Sequence, residues 1–177
     1  MRLLIHACCA DCLLKMIESI KRENNLSEIT VYYYNPNIHP RSEYQSRLKA
    51  MKLMIGDLKM IIPDWRPGEW FKVIKPIPNP SLDKEGRCAS CWKLRLEKTA
   101  EYAKKNGFDW FSSTLLTSEY QNTKKIEEIG KEISKKHNIQ FLIPNKICKK
   151  LETKGFYKQV FCGCCYSLTE RFEEKFL

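Results

Sequence analysis

Cysteine is the residue type in this sequence whose number and spacing most clearly indicate chemistry. The chain has nine cysteines among its 177 residues, and eight of them fall into three tight groups. The groups are Cys8-Cys9-x-x-Cys12, Cys88-x-x-Cys91 and Cys162-x-Cys164-Cys165, and Cys148 stands alone. In a reducing compartment, clustered cysteines are more often metal ligands or redox groups than structural disulfides. The odd number also argues against a fully paired disulfide framework.

Two of these groups contain pairs with the spacing of metal-binding cysteines, Cys9/Cys12 and Cys88/Cys91. Together the pairs supply four thiolates, enough for one zinc ion or one iron–sulfur cluster. The clustered thiols exceed what one zinc needs, which favours a cluster with further thiols for a second metal or for redox exchange. One alternative is a zinc site that joins the C-terminal segment with the third group (the tail) to the rest of the domain. Thiol–disulfide chemistry without metal is another.

The third group has a property of its own, because Gly163 allows the backbone between Cys162 and Cys164 to turn tightly. These two cysteines could form a small-ring disulfide, which is strained and easily reduced. The same sulfurs, when reduced, could chelate one iron. Both uses stay open at the level of sequence. Cys148 is expected to be a buried apolar residue.

Carboxylates and histidines near the cysteines are further candidates. Asp11 lies inside the first group and could complete the ligand shell of a metal, or it could cap the following helix. Asp64 follows the third predicted strand and is a second candidate ligand. His6 could bind a metal or hydrogen-bond a sulfur, although such a histidine is more often simply satisfied by its neighbours. His137 is expected to end a surface helix without a further role.

Two polar loops carry residue types that recognise nucleotides. Tyrosine and histidine rings could stack on a base, and amide side chains could pair with its edge. The candidates are Tyr34, Asn35 and His39 in the first loop, and Tyr120, Gln121 and Asn122 in the second. Gln121 or Asn122 is also placed to cap the helix that follows, where backbone amides could meet a phosphate or a substrate hydroxyl. Ordinary turn chemistry is the alternative for both loops.

Strands and helices must alternate to hold these residues together, and the hydrophobic pattern predicts that they do. The predicted strands are Leu3–Ala7, Ile29–Tyr34, Met60–Ile62, Trp110–Leu115 and Gln140–Ile143. Helices are predicted along Leu13 to Ile20, from Ser42, near Trp70, over Cys88–Lys105 and Lys124–Lys136, and over Ser167–Lys175. This order indicates an α/β fold with a parallel sheet and helices on both faces. Ligands of such sheets bind at the carboxyl ends of the strands, where Cys8 and Cys9 are expected.

Composition indicates one soluble domain over residues 1–177. The apolar runs are too short to cross a bilayer and no charged and then apolar leader is recognised, so we expect a cytoplasmic protein without a membrane partner. The net charge of +10, from 31 basic and 21 acidic residues, favours a polyanionic partner such as nucleic acid. A lysine-rich surface that only keeps the protein soluble is the alternative.

Five segments, taken in order, resemble the cobalamin-independent epoxyqueuosine reductases, the QueH family. They are LLIHACCADC, YNPNIHPRSEYQSR, GRCASCWKLRLEKTA, SSTLLTSEYQN and FCGCCYS, and they extend over nearly the whole chain. The resemblance implies a three-layer Rossmann-like (HUP-like) fold and the last step of queuosine synthesis, the deoxygenation of epoxyqueuosine in tRNA. It implies two partners, a tRNA with this base in its anticodon loop and an unidentified electron donor.

The resemblance also implies a 4Fe-4S cluster and an additional mononuclear iron beside it. Matched motif by motif, the cluster ligands are Cys8, Cys9, Cys88 and Cys91. Cys12, Cys162 and Cys164, with Asp11 or Asp64, then remain for the second iron or for a redox-active disulfide. Asp11, Cys12, Cys162 and Cys164 are the implied catalytic residues. Electron transfer and Lewis-acid catalysis are the chemistry that such a pair of metal groups offers.

The sequence departs from the family pattern at two places. Many members have proline where this chain has Asp11, which weighs against Asp11 as an essential ligand. Before Cys88 the family usually carries two consecutive glycines, whereas this chain reads Lys84-Glu85-Gly86-Arg87, a change that could reshape one wall of the pocket.

Three functions of other classes stay open on the residues alone. One is a zinc-stapled RNA-binding module without chemistry. Another is a sulfur-transfer or nucleotide-activating enzyme, although the first strand is followed by cysteines rather than by a glycine-rich phosphate-binding loop. The third is a cytoplasmic disulfide reductase that uses Cys162 and Cys164.

Overall fold

Parallel strands form the centre of the protein in a computed structural model, which describes residues 1–21, 26–148, 151 and 155–176. The strands are β1 (Arg2–His6), β2 (Glu28–Tyr32), β3 (Lys59–Ile61), β4 (Trp110–Ser113) and β5 (Gln140–Phe141). They form one sheet in the order β3-β2-β1-β4-β5, and every neighbouring pair is parallel. The predicted parallel sheet is confirmed.

Helices connect these strands. In the described ranges they are α1 (Ala10–Ile20), α2 (Arg41–Met54), α3 (Pro67–Ile74), α4 (Lys84–Lys105), α5 (Thr123–His137) and α6 (Cys165–Phe176). The chain moves from β1 outward to β2 and β3, and then crosses back to β4 and β5. Because such crossovers are right-handed, α1 and α2 cover one face of the sheet and α4 and α5 cover the other. None of the helices in the described part of the chain is long and apolar enough to span a bilayer.

Strand β1 lies at the centre of the sheet and is covered on both faces. Its residues Leu3, Leu4 and Ile5 are fully buried, which is the continuous apolar pattern of a central parallel strand. Leu96 and Ala100 of α4 belong to the same core. Burial of each large aliphatic side chain stabilises the fold by about 1.5–3 kcal/mol, so this core fixes the strand ends where the functional residues lie.

The predicted starts of two helices are wrong, and both errors concern cysteines. Helix α4 begins at Lys84, one turn before the predicted start at Cys88, because Asp83 caps it by accepting a hydrogen bond from the Gly86 N–H at 2.8 Å. Cys88 and Cys91 therefore lie inside the helix, on one face. Helix α6 begins at Cys165 rather than at Ser167.

The strand order reverses between β1 and β4, which makes the crevice beyond their carboxyl ends the expected ligand site. Cys8 and Cys9 follow β1 at this edge. The 3₁₀ turn Thr114–Thr117 follows β4. Helix α4 leads into the amino end of β4, so its first turns, with Cys88 and Cys91, also lie at the carboxyl edge. The fold thus brings the first two cysteine groups to one place.

Candidate metal centre

The first cysteine group is fixed where β1 passes into α1. Cys9 is the residue directly before the helix, with an extended backbone, and Cys12 lies in the first turn. The Thr117 hydroxyl donates to the carbonyl oxygen of Cys12 at 3.1 Å, and Cys8 Sγ lies 3.9 Å from Thr114 Oγ1. These contacts tie the cysteines after β1 to the turn after β4, across the point where the strand order reverses.

The second and third groups meet each other. Among the thiols, Cys162 and Cys164 interact most strongly with Cys88 and Cys91 of α4. Cys91 and Cys164 are both buried, at 5% exposure each. The eight clustered cysteines, all within the described residues, are thiols and not disulfides. The structure therefore holds the thiols of α4 and of the tail together, with the first group as their neighbour.

Arg95 connects the two sets of thiols. This residue of α4 is fully buried, and its charge interacts most strongly with Cys91, followed by Cys8, Cys162 and Cys88. Its Nε donates to the carbonyl oxygen of Cys91 at 3.4 Å, whereas its Nη2 has no hydrogen-bond partner among the described residues. Around a small cavity of about 40 Å³, Arg95 lies with the thiols of Cys8, Cys9, Cys12 and Cys162.

Burial keeps these thiols protonated when no metal is bound. It raises the pKa of Cys91 to about 12 and that of Cys88 to about 11, and the nearby arginine charges offset only part of this effect. The pKa of Cys9 is raised to about 12, chiefly by its hydrogen bond with Cys12. Metal binding requires thiolates, which would supply the negative charge that the buried guanidinium of Arg95 lacks. The donor set and this cation therefore fit an anionic, thiolate-bound metal group.

The distances between donor atoms show whether a site for a single metal ion is already formed. Thiolates on one tetrahedral zinc lie about 3.8 Å apart, given zinc–sulfur bonds of about 2.3 Å. Among the residues that the structure describes, three metal-binding side chains with donor atoms within 4.8 Å of one another occur only at Glu97, Glu101 and His137. Ligands of an iron–sulfur cluster bind different iron atoms and are spaced more widely. Among the described residues, no three thiols are therefore gathered as closely as the ligands of one zinc ion.

Glu97, Glu101 and His137 lie between α4 and α5. Lysines already balance the charges of the two carboxylates. His137 Nε2 lies 2.6 Å from Glu97 Oε1, and Lys136 pairs with the same carboxylate. Lys98 pairs with Glu101 at 2.9 Å. His137, predicted to have no further role at a helix end, thus joins two helices.

A second buried arginine holds the tail that carries the third group. Arg47 of α2 donates from Nη2 to the carbonyl oxygen of Phe161 at 2.9 Å and from Nη1 to that of Cys162 at 3.1 Å. Its Nε donates to Glu43 at 2.6 Å. The Tyr157 hydroxyl donates to the other oxygen of Glu43 at 2.5 Å. Arg47 therefore fixes the backbone at Cys162 to helix α2.

Gly163 makes the tight turn predicted between the tail thiols. Its φ is 118°, in the region that favours glycine. Its carbonyl oxygen accepts a hydrogen bond from the His39 N–H at 2.7 Å. A Cβ at this position would lie 3.2 Å from the terminal nitrogens of Arg47 and from Ile38 Cγ1. Glycine is thus required both by conformation and by space.

A larger cavity of about 520 Å³ opens beside Cys12. Asp11 and Lys15 of α1 line it, together with Tyr120 and, from the tail, Lys158. The Asp11 carboxylate pairs with Lys15 at 3.2 Å and with Lys158 at 3.8 Å. Asp11 is therefore engaged by two ammonium groups and does not cap α1.

The second predicted nucleotide loop does reach the thiols. Tyr120 lines both cavities and is 89% exposed. Gln121 accepts a hydrogen bond from Trp92 Nε1 at 2.8 Å and donates to Cys162 Sγ at 3.6 Å. The predicted cap of the next helix is confirmed for Asn122, whose side chain accepts from the Lys125 N–H.

The first predicted nucleotide loop lies elsewhere, since its three candidates line neither cavity in the described residues. Tyr34 is buried, and its hydroxyl donates to Glu69 at 2.5 Å. Asn35 donates to the carbonyl oxygen of Ala7 at 2.8 Å, directly before Cys8. His39 packs against aromatic rings of α3. Tyr34, Asn35 and His39 thus lie away from both cavities, and their role in recognising a base stays a prediction.

The structure also shows the surroundings of three other residues that the sequence singled out, Asp64, His6 and Cys148. The Asp64 side chain is 80% exposed and pairs with Arg66 at 2.9 Å, which does not suit a ligand in a buried thiol site. His6 is fully buried between Ser113 Oγ and the Tyr34 carbonyl oxygen, so it is satisfied by its neighbours, and burial lowers its pKa to about 3. Cys148 is only partly buried, contrary to expectation.

Sequence reasoning missed Arg47 and Arg95, the two buried arginines that contact the cysteine groups. A signal for Arg95 was present, because Cys88, Cys91 and Arg95 follow one another at spacings of three and four residues and therefore share a helix face. Arg47 has a similar signal, since it stands one turn after Glu43. Neither spacing reveals that the face in question is buried.

Known proteins resemble the chain over nearly its whole length. A family model described as Epoxyqueuosine reductase QueH matches residues 3–170. An epoxyqueuosine reductase QueH from Dehalococcoides mccartyi is 33% identical over 183 residues, which cover 97% of this chain and 94% of that protein. The one from Thermotoga maritima is 34% identical over 190 residues, which cover 97% and 92%. The chain therefore belongs to the epoxyqueuosine reductase QueH family, a family of oxidoreductases.

Proposed function

We propose that this protein reduces epoxyqueuosine in tRNA to queuosine, the last step of queuosine synthesis. The observation that carries the proposal is the family match over residues 3–170, a range that contains all eight clustered cysteines. The reaction removes the epoxide oxygen, takes up two electrons and two protons, and releases water. An electron donor, as yet unidentified, must supply the electrons.

The buried thiols support a metal-based source of those electrons. We assign Cys8, Cys9, Cys88 and Cys91 to a 4Fe-4S cluster. Cys12, Cys162 and Cys164, with Asp11, are assigned to an additional mononuclear iron or to a redox-active disulfide. When bound, these groups supply single electrons and a Lewis acid. Asp64 is left out because its side chain is exposed and paired with Arg66.

The donor atoms assigned to the second iron are not close together in the described part of the chain. No three of the residues assigned to the second iron have donor atoms within 4.8 Å of one another in the described chain. Cys162 is held through its backbone by Arg47, and its Sγ accepts a hydrogen bond from the amide of Gln121 at 3.6 Å. Binding of the second iron therefore requires these donor atoms to move closer together.

The larger cavity suits the base. Its volume of about 520 Å³ lies within the range of small-molecule pockets, about 300–1,000 Å³. The exposed ring of Tyr120 offers a stacking face. Lys15 and Lys158 offer positive charge to phosphates. Although burial alone would lower the pKa of Lys15, its hydrogen bond with Asp11 and the nearby Glu119 charge raise it, so Lys15 stays a fixed cation.

Gln121 contacts Cys162 at the small cavity of about 40 Å³, which both residues line. The indole N–H of Trp92 donates a hydrogen bond to the amide oxygen of Gln121, so the amide nitrogen faces Cys162 Sγ. This orientation directs N–H groups, and not an oxygen, at the sulfur. The amide is therefore placed to donate a hydrogen bond to the Cys162 sulfur.

The proposed reaction can be tested directly. Anaerobically purified protein is mixed with a chemical reductant and with tRNA that contains epoxyqueuosine, and the nucleosides are analysed by mass spectrometry. We expect loss of one oxygen atom from the modified base. Cys91→Ser should abolish conversion, whereas the matched control Cys148→Ser should retain it. An iron-loaded wild-type protein that converts no substrate would contradict the proposal.

A further inference from the structure

Three arginines are fully buried in this protein, and only one of them has no carboxylate partner among the described residues. Arg47 pairs with Glu43, and Arg87 pairs with Glu170. Arg95 is as buried as the other two, but its interactions are with thiols. A buried cation is costly unless an opposite charge or a full set of hydrogen bonds accompanies it.

The surroundings of Arg95 do not meet that requirement in the metal-free state. Its Nη2 has no hydrogen-bond partner within the described ranges, and its Nε reaches only a backbone carbonyl at 3.4 Å. Arg95 lines the small cavity with Cys8 and Cys162, its Nε donates to Cys91, and its charge interacts mainly with Cys91, Cys8, Cys162 and Cys88. Three of these four are residues assigned to the cluster. The guanidinium thus faces the place where thiolates form when metal binds.

We propose that Arg95 is a positioning residue whose charge balances the thiolate-bound metal group, holding it in the site and raising its reduction potential. The inference rests on the proposed function, because it needs the metal to be bound. A thiolate-bound cluster is an anion and becomes more negative on reduction, so a buried positive charge beside it favours the reduced form. Arg95 would then make electron uptake easier without touching the substrate.

A purely structural arginine would give different results on substitution. If Arg95 only fills space, methionine of similar length should preserve the metal site, since burying an apolar side chain avoids the cost of an unpaired charge. If the charge matters, lysine should preserve the metal site better than methionine does. Comparison of these two substitutions therefore separates charge from shape.

The experiment compares full-length wild type, Arg95→Met, Arg95→Lys and a control, Arg2→Met, after anaerobic purification. Arg2 starts β1 at the opposite edge of the sheet, so its replacement removes the same charge far from the thiols. Iron, sulfide and the midpoint potential are measured, the last by anaerobic redox titration followed by visible absorbance. Circular dichroism melting checks the fold, and Arg95→Gln replaces Arg95→Met if the latter does not fold.

We expect Arg95→Met to retain less iron and sulfide than wild type, and its remaining cluster to have a more negative midpoint potential. Arg95→Lys should stay close to wild type, and Arg2→Met should not differ from it. Wild-type values for Arg95→Met, or equal losses in Arg95→Met and Arg95→Lys, would overturn the inference alone. A wild-type protein without iron and sulfide would overturn the metal site itself, and the inference with it.

Discussion

Gly163 sets the position of the two tail thiols beside it, which makes it the first residue to test. Its φ of 118° disfavours a side chain, and a Cβ there would lie 3.2 Å from atoms of Arg47 and Ile38, which would have to shift slightly. We predict that Gly163→Ala lowers the free energy of unfolding by about 1–3 kcal/mol, the usual cost of such backbone strain. Urea denaturation monitored by circular dichroism measures this loss.

Gly155 provides the matched control. It also has a positive φ, 85°, but no atom of the described residues lies within 4 Å of a Cβ added there. Gly155→Ala should therefore destabilise the protein less than Gly163→Ala does. Equal losses would show that the contacts with Arg47 and Ile38 do not matter.

Gln121 is a second test at the scale of one residue. We predict that Gln121→Glu lowers the rate of epoxyqueuosine reduction by about fivefold, because a carboxylate would replace the N–H that faces Cys162 and the lost hydrogen bond is worth about 1 kcal/mol. Single-turnover conversion of the tRNA substrate measures the rate. Gln140→Glu, on an exposed residue of β5, is the control. An unchanged rate for Gln121→Glu would remove this residue from the site.

The residue types of the site could largely be predicted, but not their surroundings. Cysteine spacing reveals thiols with a common purpose, and Gly163 between two cysteines reveals a turn. Arginine, in contrast, is usually exposed, so nothing in the letters shows that Arg95 is buried among thiols. Asp64 follows a strand, the position at which a ligand is expected, yet its side chain is turned to solvent.

At the scale of elements, Glu97 of α4 and His137 of α5 join two helices that frame the site. Burial would raise the pKa of Glu97, but hydrogen bonds from Lys136 and His137 together lower it. We predict that Glu97→Gln lowers the melting temperature by about 2–4 °C at pH 7, as expected for a loss of about 1 kcal/mol. Glu101→Gln should lower it less, because Glu101 pairs with Lys98 of its own helix.

The sign of the pH dependence follows from that lowered pKa. A carboxyl group with a lower pKa in the folded state stabilises the fold above its unfolded pKa, about 4.3, and this contribution is lost as the pH falls through the folded value. The difference in melting temperature between wild type and Glu97→Gln should therefore shrink below about pH 4. A difference that stays constant with pH would show that the carboxylate charge is not responsible.

Element order was predictable from sequence, whereas element ends were not. The alternation of apolar strands and amphipathic helices is strong enough to indicate the parallel sheet. The start of α4 depends on one cap at Asp83, and the apolar periodicity there begins only after the cap. β1 and β2 end at His6 and Tyr32, before the predicted ends at Ala7 and Tyr34, because buried loops continue the apolar pattern beyond the last strand pairing.

At the scale of the whole molecule, the net charge of +10 predicts salt-sensitive binding of tRNA. Lys158 lines the larger cavity, where it would meet a phosphate. We predict that Lys158→Ala reduces the slope of log Kd against log salt by about 0.7, the value for one contact with single-stranded nucleic acid. Lys59→Ala, at the amino end of β3, should leave the slope unchanged. Equal slopes in both variants would place the RNA on another surface.

The metal content of the whole protein tests the central claim most directly. The measurement is iron, zinc and sulfide after strictly anaerobic purification, with visible spectra before and after dithionite. The account predicts a brown protein whose spectrum bleaches on reduction and which contains sulfide and an excess of iron over sulfide. A colourless protein that contains zinc and no sulfide would contradict it, and would favour a zinc-stapled RNA-binding module.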